Sequence, residues 1–286
     1  MKIFADSSCD LPKEYYKQHE VEFLPFRICL NGSEYEDGIS MDSKQIYEAI
    51  RKGAQPKISQ VSPALFLSHF KQLAQNGEEG LYIAFSSELS GTYSTAMMIR
   101  NQLQAQNPTF KLAIIDSKCA SLGLGFLIQE AVRLRDTGHS LEEMEKKITV
   151  LASQMEHLFL VEDLDYVAKG GRVSKASAFL GGLLNSKPIL HVEDGKLVPI
   201  EKVRGRKKAM ARILELMQKR GGSFTDQIVG IGHSDDSSFA NELKEAIQTK
   251  LAPKAIQTTT IGSVSGSYVG PGTVAVFFTN SNTPSK

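Results

Sequence analysis

The stretch LYIAFSSELSGTY, residues 81–93, decides the fold that the sequence predicts. It begins as a continuous apolar run, which is typical of a strand buried on both faces of a parallel sheet. The run ends in two serines, and Ser90-Gly91-Thr92 follows at the predicted start of a helix. A strand that leads directly into a helix is the first half of a βαβ unit. The serine cluster is therefore expected at the carboxyl edge of the sheet, where ligands bind in open α/β folds.

The same alternation of strand and helix continues on both sides of this stretch. The predicted strands are 2–6, 21–30, 81–85 and 111–116, and the predicted helices are 41–53, 62–77, 91–106, 121–137 and 140–155. Helix starts are marked by Asp42 or Ser43 in one case, and by Ser62 followed by Pro63 in another. Strand and helix in strict succession predict right-handed crossovers and a mostly parallel sheet.

The pattern changes after the helix at 140–155. The later features are, in order, a strand at 157–162, a glycine-punctuated helical stretch at 169–185, a hairpin at 188–203, a basic helix, a βα unit and a closing strand at 272–279. The hairpin is predicted to turn at Asp194-Gly195, a dipeptide that suits type I′ turns. We expect an α/β fold of two α/β domains: residues 1–150 with a mostly parallel, Rossmann-like sheet, and residues 151–286 as an α/β sandwich with a β-hairpin.

The composition excludes several classes of protein. Lys and Arg total 33 against 32 Asp and Glu in 286 residues, so the net charge of +1 gives no reason to expect a nucleic-acid partner. The three cysteines, Cys9, Cys29 and Cys119, are far apart and odd in number, which supports neither a disulfide framework nor a zinc site. No glycine-rich nucleotide motif occurs, and we expect no cofactor and no metal.

The sequence also bears on location and assembly. No apolar run approaches the roughly 18 residues of a membrane-spanning helix. The first residues lack the apolar core of a signal peptide, so we expect a cytoplasmic protein. The balanced charge and the lack of coiled-coil heptads predict a monomer.

The serine cluster has three interpretations from the residues alone. A helix N-terminus offers unpaired N–H groups and a positive dipole end, so Ser90, Gly91 and Thr92 could hold a carboxylate or a phosphate. Ser90 could instead be no more than the N-cap of the helix. The third interpretation is a nucleophile with His233 and Asp235 as partners, although the cluster lacks the G-x-S-x-G pattern of a nucleophile elbow.

Nine short motifs, taken together and in order, resemble those of the DegV family. They are ADSSCDLP (5–12), ISQVSP (58–63), SSELSGTY (86–93), DSKCASLGLG (116–125), YVAKGGRV (166–173), LLNSKPIL (183–190), GKLVPIEKVRGRKKA (195–209), GHSD (232–235) and VGPGT (269–273). None of them is decisive alone. The ordered set is specific, because it spans residues 5–273, nearly the whole chain.

The resemblance implies a protein that binds a long-chain fatty acid between two α/β domains. In the family, the bound carboxyl group is presented to the separate ATP-binding subunit of a bacterial fatty acid kinase, a step of phospholipid metabolism. The implied role is that of a lipid-binding accessory subunit and not of an enzyme. Carried over by position, Ser90 is the main ligand of the carboxyl group, with Gly91 and Thr92 beside it.

Two positions depart from the family's pattern. Ile58 stands where the family has a threonine that touches the carboxyl group, so this contact would fall to Ser59 or to a backbone N–H group. Tyr268 stands where the family often has histidine; tyrosine can donate an O–H bond but cannot supply a cation near neutral pH. The resemblance also implies that Arg172 and Arg204, near the opening of the site, dock the kinase subunit.

Two alternatives stay open. The chain could carry another amphipathic carboxylate without a kinase partner, which the changes at Ile58 and Tyr268 would allow. It could also be a serine acyl hydrolase that acts through Ser90. The candidates for the lining of the acyl chain are the apolar, glycine-containing stretches 120–132 and 176–185.

Overall fold

The computed structural model describes residues 1–174 and 186–281, which form three β-sheets and the helices packed on them. The strands are β1 (Lys2–Asp6), β2 (Val21–Leu24), β3 (Arg27–Leu30), β4 (Ser33–Glu36), β5 (Lys57–Ser59), β6 (Gly80–Ala84), β7 (Leu112–Asp116), β8 (Met155–Leu160), β9 (Ser186–Glu193), β10 (Lys196–Arg204), β11 (Ile228–His233), β12 (Ala255–Thr260) and β13 (Val274–Thr279). The helices are α1 (Lys13–Gln18), α2 (Ser43–Arg51), α3 (Pro63–Gln75), α4 (Thr92–Gln106), α5 (Ser121–Asp136), α6 (Leu141–Gln154), α7 (Leu164–Lys169), α8 (Arg206–Gly221), α9 (Ser237–Leu251) and α10 (Ser263–Val269). The predicted α/β class is confirmed.

The first sheet is four-stranded and parallel, in the order β2-β1-β6-β7. Ile3 lies opposite Val21 on one side and opposite Leu81 on the other, which fixes the register of the sheet. All five residues of β6 are buried, as its continuous apolar run predicts. Because α4 follows β6 after a short turn, the serine cluster lies at the carboxyl edge of this sheet.

The single strand predicted at 21–30 is wrong, because the chain divides there between two sheets. Pro25 has no backbone N–H group and interrupts the ladder, so β2 stays in the parallel sheet and β3 leaves it. Strand β3 is central in a three-stranded antiparallel sheet of order β4-β3-β5. Asn31 and Gly32 join β3 to β4 with positive φ angles of 52° and 82°, as a two-residue type I′ turn requires.

The third sheet is mixed and six-stranded, in the order β10-β9-β8-β13-β11-β12. The predicted hairpin forms its edge, and Asp194 and Gly195 make the turn with φ angles of 51° and 83°. The helical stretch predicted at 169–185 is not helical between 170 and 174, the part that the structure describes beyond α7. Helix α7 ends at Lys169, and Gly171, two residues later, takes a φ of 72°.

Apolar packing continues from the parallel sheet to the mixed sheet. One buried cluster includes both Ile83 of β6 and Phe159 of β8. Leu158, the residue before Phe159 on β8, belongs to a second cluster, with Ile213 of α8 and Leu243 of α9. Since adjacent residues of β8 enter different clusters, the mixed sheet is buried on both faces.

The division into domains of residues 1–150 and 151–286 stays a prediction. Helix α6 ends at Gln154, and the first strand of the mixed sheet begins at Met155. The lining candidate 176–185 lies outside the described residues. Within the part of the chain that the structure describes, no helix is both long and apolar enough to cross a bilayer.

His157 of β8 gives the fold a specific dependence on pH. The ring is 1% exposed; its Nε2 accepts a hydrogen bond from the Ala120 N–H at 3.3 Å, and its Nδ1 lies 3.2 Å from the Met155 carbonyl oxygen. Burial lowers the pKa of His157 from 6.5 to about 4. Between these two pKa values, the unfolded chain binds a proton that the folded chain does not. We therefore expect the free energy of unfolding to fall by about 3 kcal/mol as the pH drops from 6.5 to about 4 and below.

Urea unfolding at a series of pH values, on the wild type and on His157→Gln, measures this effect. Glutamine keeps an acceptor for the Ala120 N–H group but does not titrate. Burial raises the pKa of Asp10, which makes stability decline as the pH rises, so the difference between the two proteins isolates the histidine. Equal pH dependence in both proteins would show that His157 is not the group responsible.

Candidate functional site

Two of the three serines in the turn between β6 and α4, Ser86 and Ser90, are held by different contacts. Ser86 Oγ is buried and donates to the Gly195 carbonyl oxygen at 2.8 Å, which anchors the tip of the β9–β10 hairpin. Ser90 Oγ lies 2.8 Å from Thr92 Oγ1 and accepts from the Thr92 N–H group at 3.2 Å. Helix α4 begins one residue later than expected, with Gly91 and not Ser90 as its N-cap. Ser90 thus keeps a capping contact, while the first turn of α4 presents further N–H groups.

The loop after β5 lies against the start of α4. Gln60 Nε2 donates to Thr95 Oγ1 at 2.8 Å, and a Cβ atom at Gly91 would lie only 2.6 Å from Gln60 Oε1. Glycine therefore permits this close approach. Ile58 is half-buried, whereas Ser59 is exposed. Gln60, which directly follows Ile58 and Ser59, therefore brings the end of β5 close to the start of α4.

Tyr268 and Arg172 form a stacked pair beside this turn. The guanidinium carbon of Arg172 lies 4.8 Å from the centroid of the Tyr268 ring. Arg172 also donates from Nε to the Leu89 carbonyl oxygen at 3.4 Å and from Nη1 to the Gly170 carbonyl oxygen at 2.7 Å. Burial raises the pKa of Tyr268, so its phenol is neutral near pH 7 and can donate a hydrogen bond. Leu89 precedes Ser90, so Arg172 is held next to the serine cluster.

A surface cleft and an apolar cavity are both lined by this stacked pair. A cleft of about 320 Å³ contains Ile58, Lys169, Arg172 and Tyr268 among its lining residues. A separate apolar cavity of about 20 Å³ is also lined by Arg172 and Tyr268. Its other walls include Phe85, Leu89, Ala120, Phe159, Leu197 and Ile261. The cavity has roughly the room of one water molecule. Its walls come from the loops that follow β6 and β7 of the parallel sheet and from β8 and β10 of the mixed sheet.

Three of the predicted site residues, Ile58, Arg172 and Tyr268, line the same cleft. Ser90, Gly91 and Thr92 line neither the cleft nor the apolar cavity, and the bond from Arg172 to Leu89 is what links them to it. Arg204 lies apart, at the end of β10 opposite Ser186. Leu197, which lines the apolar cavity, is seven residues earlier on the same strand. At the rise of an extended strand this separation is on the order of 20 Å. Arg204 is exposed, and its docking role stays a prediction.

No described contact supports a Ser-His-Asp arrangement. The Ser90 hydroxyl pairs with Thr92, and Asp235 forms an ion pair with Arg51. His233 ends β11, and its partial burial lowers its pKa. Among residues 1–174 and 186–281, no group of three or more His, Cys, Asp or Glu side chains is arranged to hold a metal ion.

Sequence reasoning missed several residues of this site. Ala120 falls within the predicted lining stretch 120–132 and does line the cavity, whereas Leu89 and Leu197 were not singled out. Gln60 was overlooked as well, although it lies inside the ISQVSP motif. The position of Gln60 inside that motif is a signal that could have identified it. No such local signal exists for Leu197, because only the tertiary fold brings it to the cavity.

A family model and a relative match the chain over nearly its whole length. The model, described as the DegV family of uncharacterised proteins, matches residues 1–281. A DegV domain-containing protein of Clostridium perfringens is 36% identical over 279 residues, which are 96% of each chain.

Two solved structures share the fold. One is a DegV family protein of Thermus thermophilus described by its fatty acid binding, with a TM-score of 0.88, 29% identity and coverage of 98% of this chain and 99% of that one. The other is a stearic acid-binding protein of Eubacterium ventriosum, with a TM-score of 0.89, 25% identity and coverage of 97% of both chains. From the family model, the relative and the shared fold together, the chain belongs to the DegV family.

Proposed function

We propose that this protein binds a long-chain fatty acid, with the carboxyl group at the turn before α4 and the acyl chain in the apolar cavity. One observation carries the proposal: the apolar cavity and the polar cleft meet at Arg172 and Tyr268, and Arg172 donates to the carbonyl oxygen of Leu89, the residue before Ser90. A ligand with a polar head and an apolar tail matches that junction. The likeness to solved proteins described as fatty acid-binding gives independent support.

The acyl chain supplies most of the affinity in this proposal. At about 0.8 kcal/mol per buried methylene, some 15 methylenes contribute on the order of 12 kcal/mol before the costs of association. The cavity of about 20 Å³ is much smaller than the roughly 300–1,000 Å³ of typical ligand pockets. Entry of the chain therefore requires the cavity walls to move apart, and the work of separating them offsets part of this gain.

The polar groups at the turn suit a carboxylate that is held without being attacked. Hydroxyl and N–H donors favour the ionised form of a bound carboxyl group. Serine becomes a strong nucleophile only beside a general base, and the described partner of Ser90 is the hydroxyl of Thr92. Tyr268 adds a neutral phenol, which takes the position of the family's histidine.

We further propose that the bound carboxyl group is presented to the ATP-binding subunit of a fatty acid kinase. Arg172 and Arg204 are the proposed docking residues, since guanidinium groups pair well with acidic and phosphate groups. In this scheme the protein is a cytoplasmic monomer whose site lies between domains of residues 1–150 and 151–286. A carrier without a kinase partner is the alternative, and Ile58, which offers no hydroxyl group, favours it.

Ser90→Ala and Thr92→Val are each expected to weaken palmitate binding about tenfold, the cost of one hydrogen bond to a charged group. Calorimetric titration of delipidated protein measures the change. Ser94→Ala, which removes an exposed hydroxyl from the same helix, is the matched control and is expected to bind as the wild type. If neither variant weakens binding, the carboxyl group is held elsewhere.

The partner is tested by adding a fatty acid kinase ATP-binding subunit and ATP to the palmitate complex. The proposal expects acyl phosphate that forms only when both proteins are present. Tight palmitate binding without acyl phosphate would favour the carrier that acts alone. Ester hydrolysis that disappears in Ser90→Ala would instead favour the hydrolase.

A further inference from the structure

A second cavity lies at the other end of α10 from Tyr268. It has a volume of about 290 Å³, and its lining includes Asp10, Asp37, Gly262 and Ser263. None of its described lining residues lines the apolar cavity or the cleft with Tyr268. The cavity is therefore a separate site.

Two carboxyl groups are buried in its wall. Asp10 is 7% exposed and Asp37 is 4% exposed. The Ser121 hydroxyl donates to Asp10 Oδ2, whereas Asp10 Oδ1 and Ser263 Oγ are buried without a well-formed hydrogen bond. Their nearest polar neighbours are the Gly262 N–H group and the Asp37 carboxyl group, respectively. Burial raises the pKa of Asp10 to about 8, and the charge of Asp37 adds to that effect. Buried carboxylates and unpaired acceptors are costly unless a cation or a hydrogen-bond donor reaches them.

The rest of the wall suits an organic cation. Tyr16 and Phe23 both line the cavity, with their ring centroids 4.8 Å apart. Aromatic faces attract cations, and apolar surface accommodates an alkyl chain. Burial raises the pKa of Asp37, and the charge of Lys13, which also lines the cavity, partly offsets that effect. The volume is close to the lower end of small-molecule pockets, and it exceeds what a bare ion needs.

We propose that this cavity binds the primary ammonium group of a small amine. The ammonium group lies between Asp10 and Asp37, which ionise as it binds, and Asp10 Oδ1 and Ser263 Oγ accept N–H bonds. A primary ammonium group has three N–H donors, which match these acceptors, whereas a quaternary ammonium group has none. The alkyl part of the amine lies against Tyr16 and Phe23.

The probe is n-butylammonium, titrated by calorimetry into the full-length protein at constant ionic strength. Asp37→Asn is expected to weaken its binding at least tenfold, whereas Asp226→Asn, which removes an exposed carboxylate elsewhere, leaves it unchanged. Lys13→Met is expected to tighten binding about threefold, because a competing positive charge is removed. Tetramethylammonium, sodium ions and n-butanol are expected to give no comparable heat.

Circular dichroism and thermal unfolding establish that each variant is folded. Should Asp37→Asn fail to fold, the Lys13→Met result decides the question alone. No heat with n-butylammonium, equal heat with sodium ions, or affinities unchanged in Asp37→Asn or in Lys13→Met would overturn the proposal.

Discussion

Ala120→Phe is expected to weaken palmitate binding by at least about 100-fold, because the added ring fills the apolar cavity that Ala120 lines. Excluding about four methylenes at roughly 0.8 kcal/mol each removes about 3 kcal/mol, and that loss raises the dissociation constant about 100-fold. Calorimetric titration of the delipidated variant with palmitate measures the change.

The control for this variant is Ala246→Phe, which adds the same ring on α9, outside the cavity. Overpacking costs about 1–3 kcal/mol of stability in either place, so thermal unfolding must first show that both variants are folded. Ala246→Phe is expected to bind palmitate as the wild type does. Wild-type affinity in folded Ala120→Phe would mean that the acyl chain lies outside this cavity.

Asp6→Ala is expected to lower the free energy of unfolding by about 3–5 kcal/mol, because it leaves several buried donors without an acceptor. The Asp6 carboxyl group accepts from the Tyr82 hydroxyl at 2.8 Å, from the Phe85 N–H group at 3.0 Å and from the Ser8 N–H group at 3.1 Å. The Ser8 hydroxyl donates to it as well. Since Phe85 opens the turn that leads to the serine cluster, Asp6 ties that turn to β1.

Urea unfolding of Asp6→Ala and Asp6→Asn measures this contribution. Asparagine keeps the shape and one acceptor oxygen, so its loss is expected to be the smaller of the two. Burial raises the pKa of Asp6, which reduces the electrostatic cost of a neutral replacement. A loss below about 1 kcal/mol in Asp6→Ala would show that the donors find other partners.

The sequence predicted the parts of the fold that strong local signals determine. The runs 81–85 and 111–116 are buried strands, and α2 begins after Asp42, which forms a capping box with Gln45. Strands β4, β5 and β12 were missed, because they are short or polar and lack continuous burial. Their pairing is decided by the strands beside them.

The candidate site was predictable in its polar part and, through Ala120 of the stretch 120–132, in a small part of its apolar lining. Ser90, Gly91 and Thr92 were singled out from their position between a strand and a helix, which is a local pattern. The stacking of Arg172 on Tyr268 joins segments far apart in the chain, and no local pattern predicts it. The same is true of Leu197, which reaches the apolar cavity through a hairpin at the edge of the mixed sheet.

Mass spectrometry of the purified protein, first under native and then under denaturing conditions, tests the central claim most directly. The account predicts a non-covalent adduct with the mass of a long-chain fatty acid, present in the native spectrum and lost on denaturation. A covalent acyl adduct that survives denaturation would contradict it and indicate Ser90 as a nucleophile. A protein that carries no lipid and takes up no palmitate when it is offered would contradict it outright.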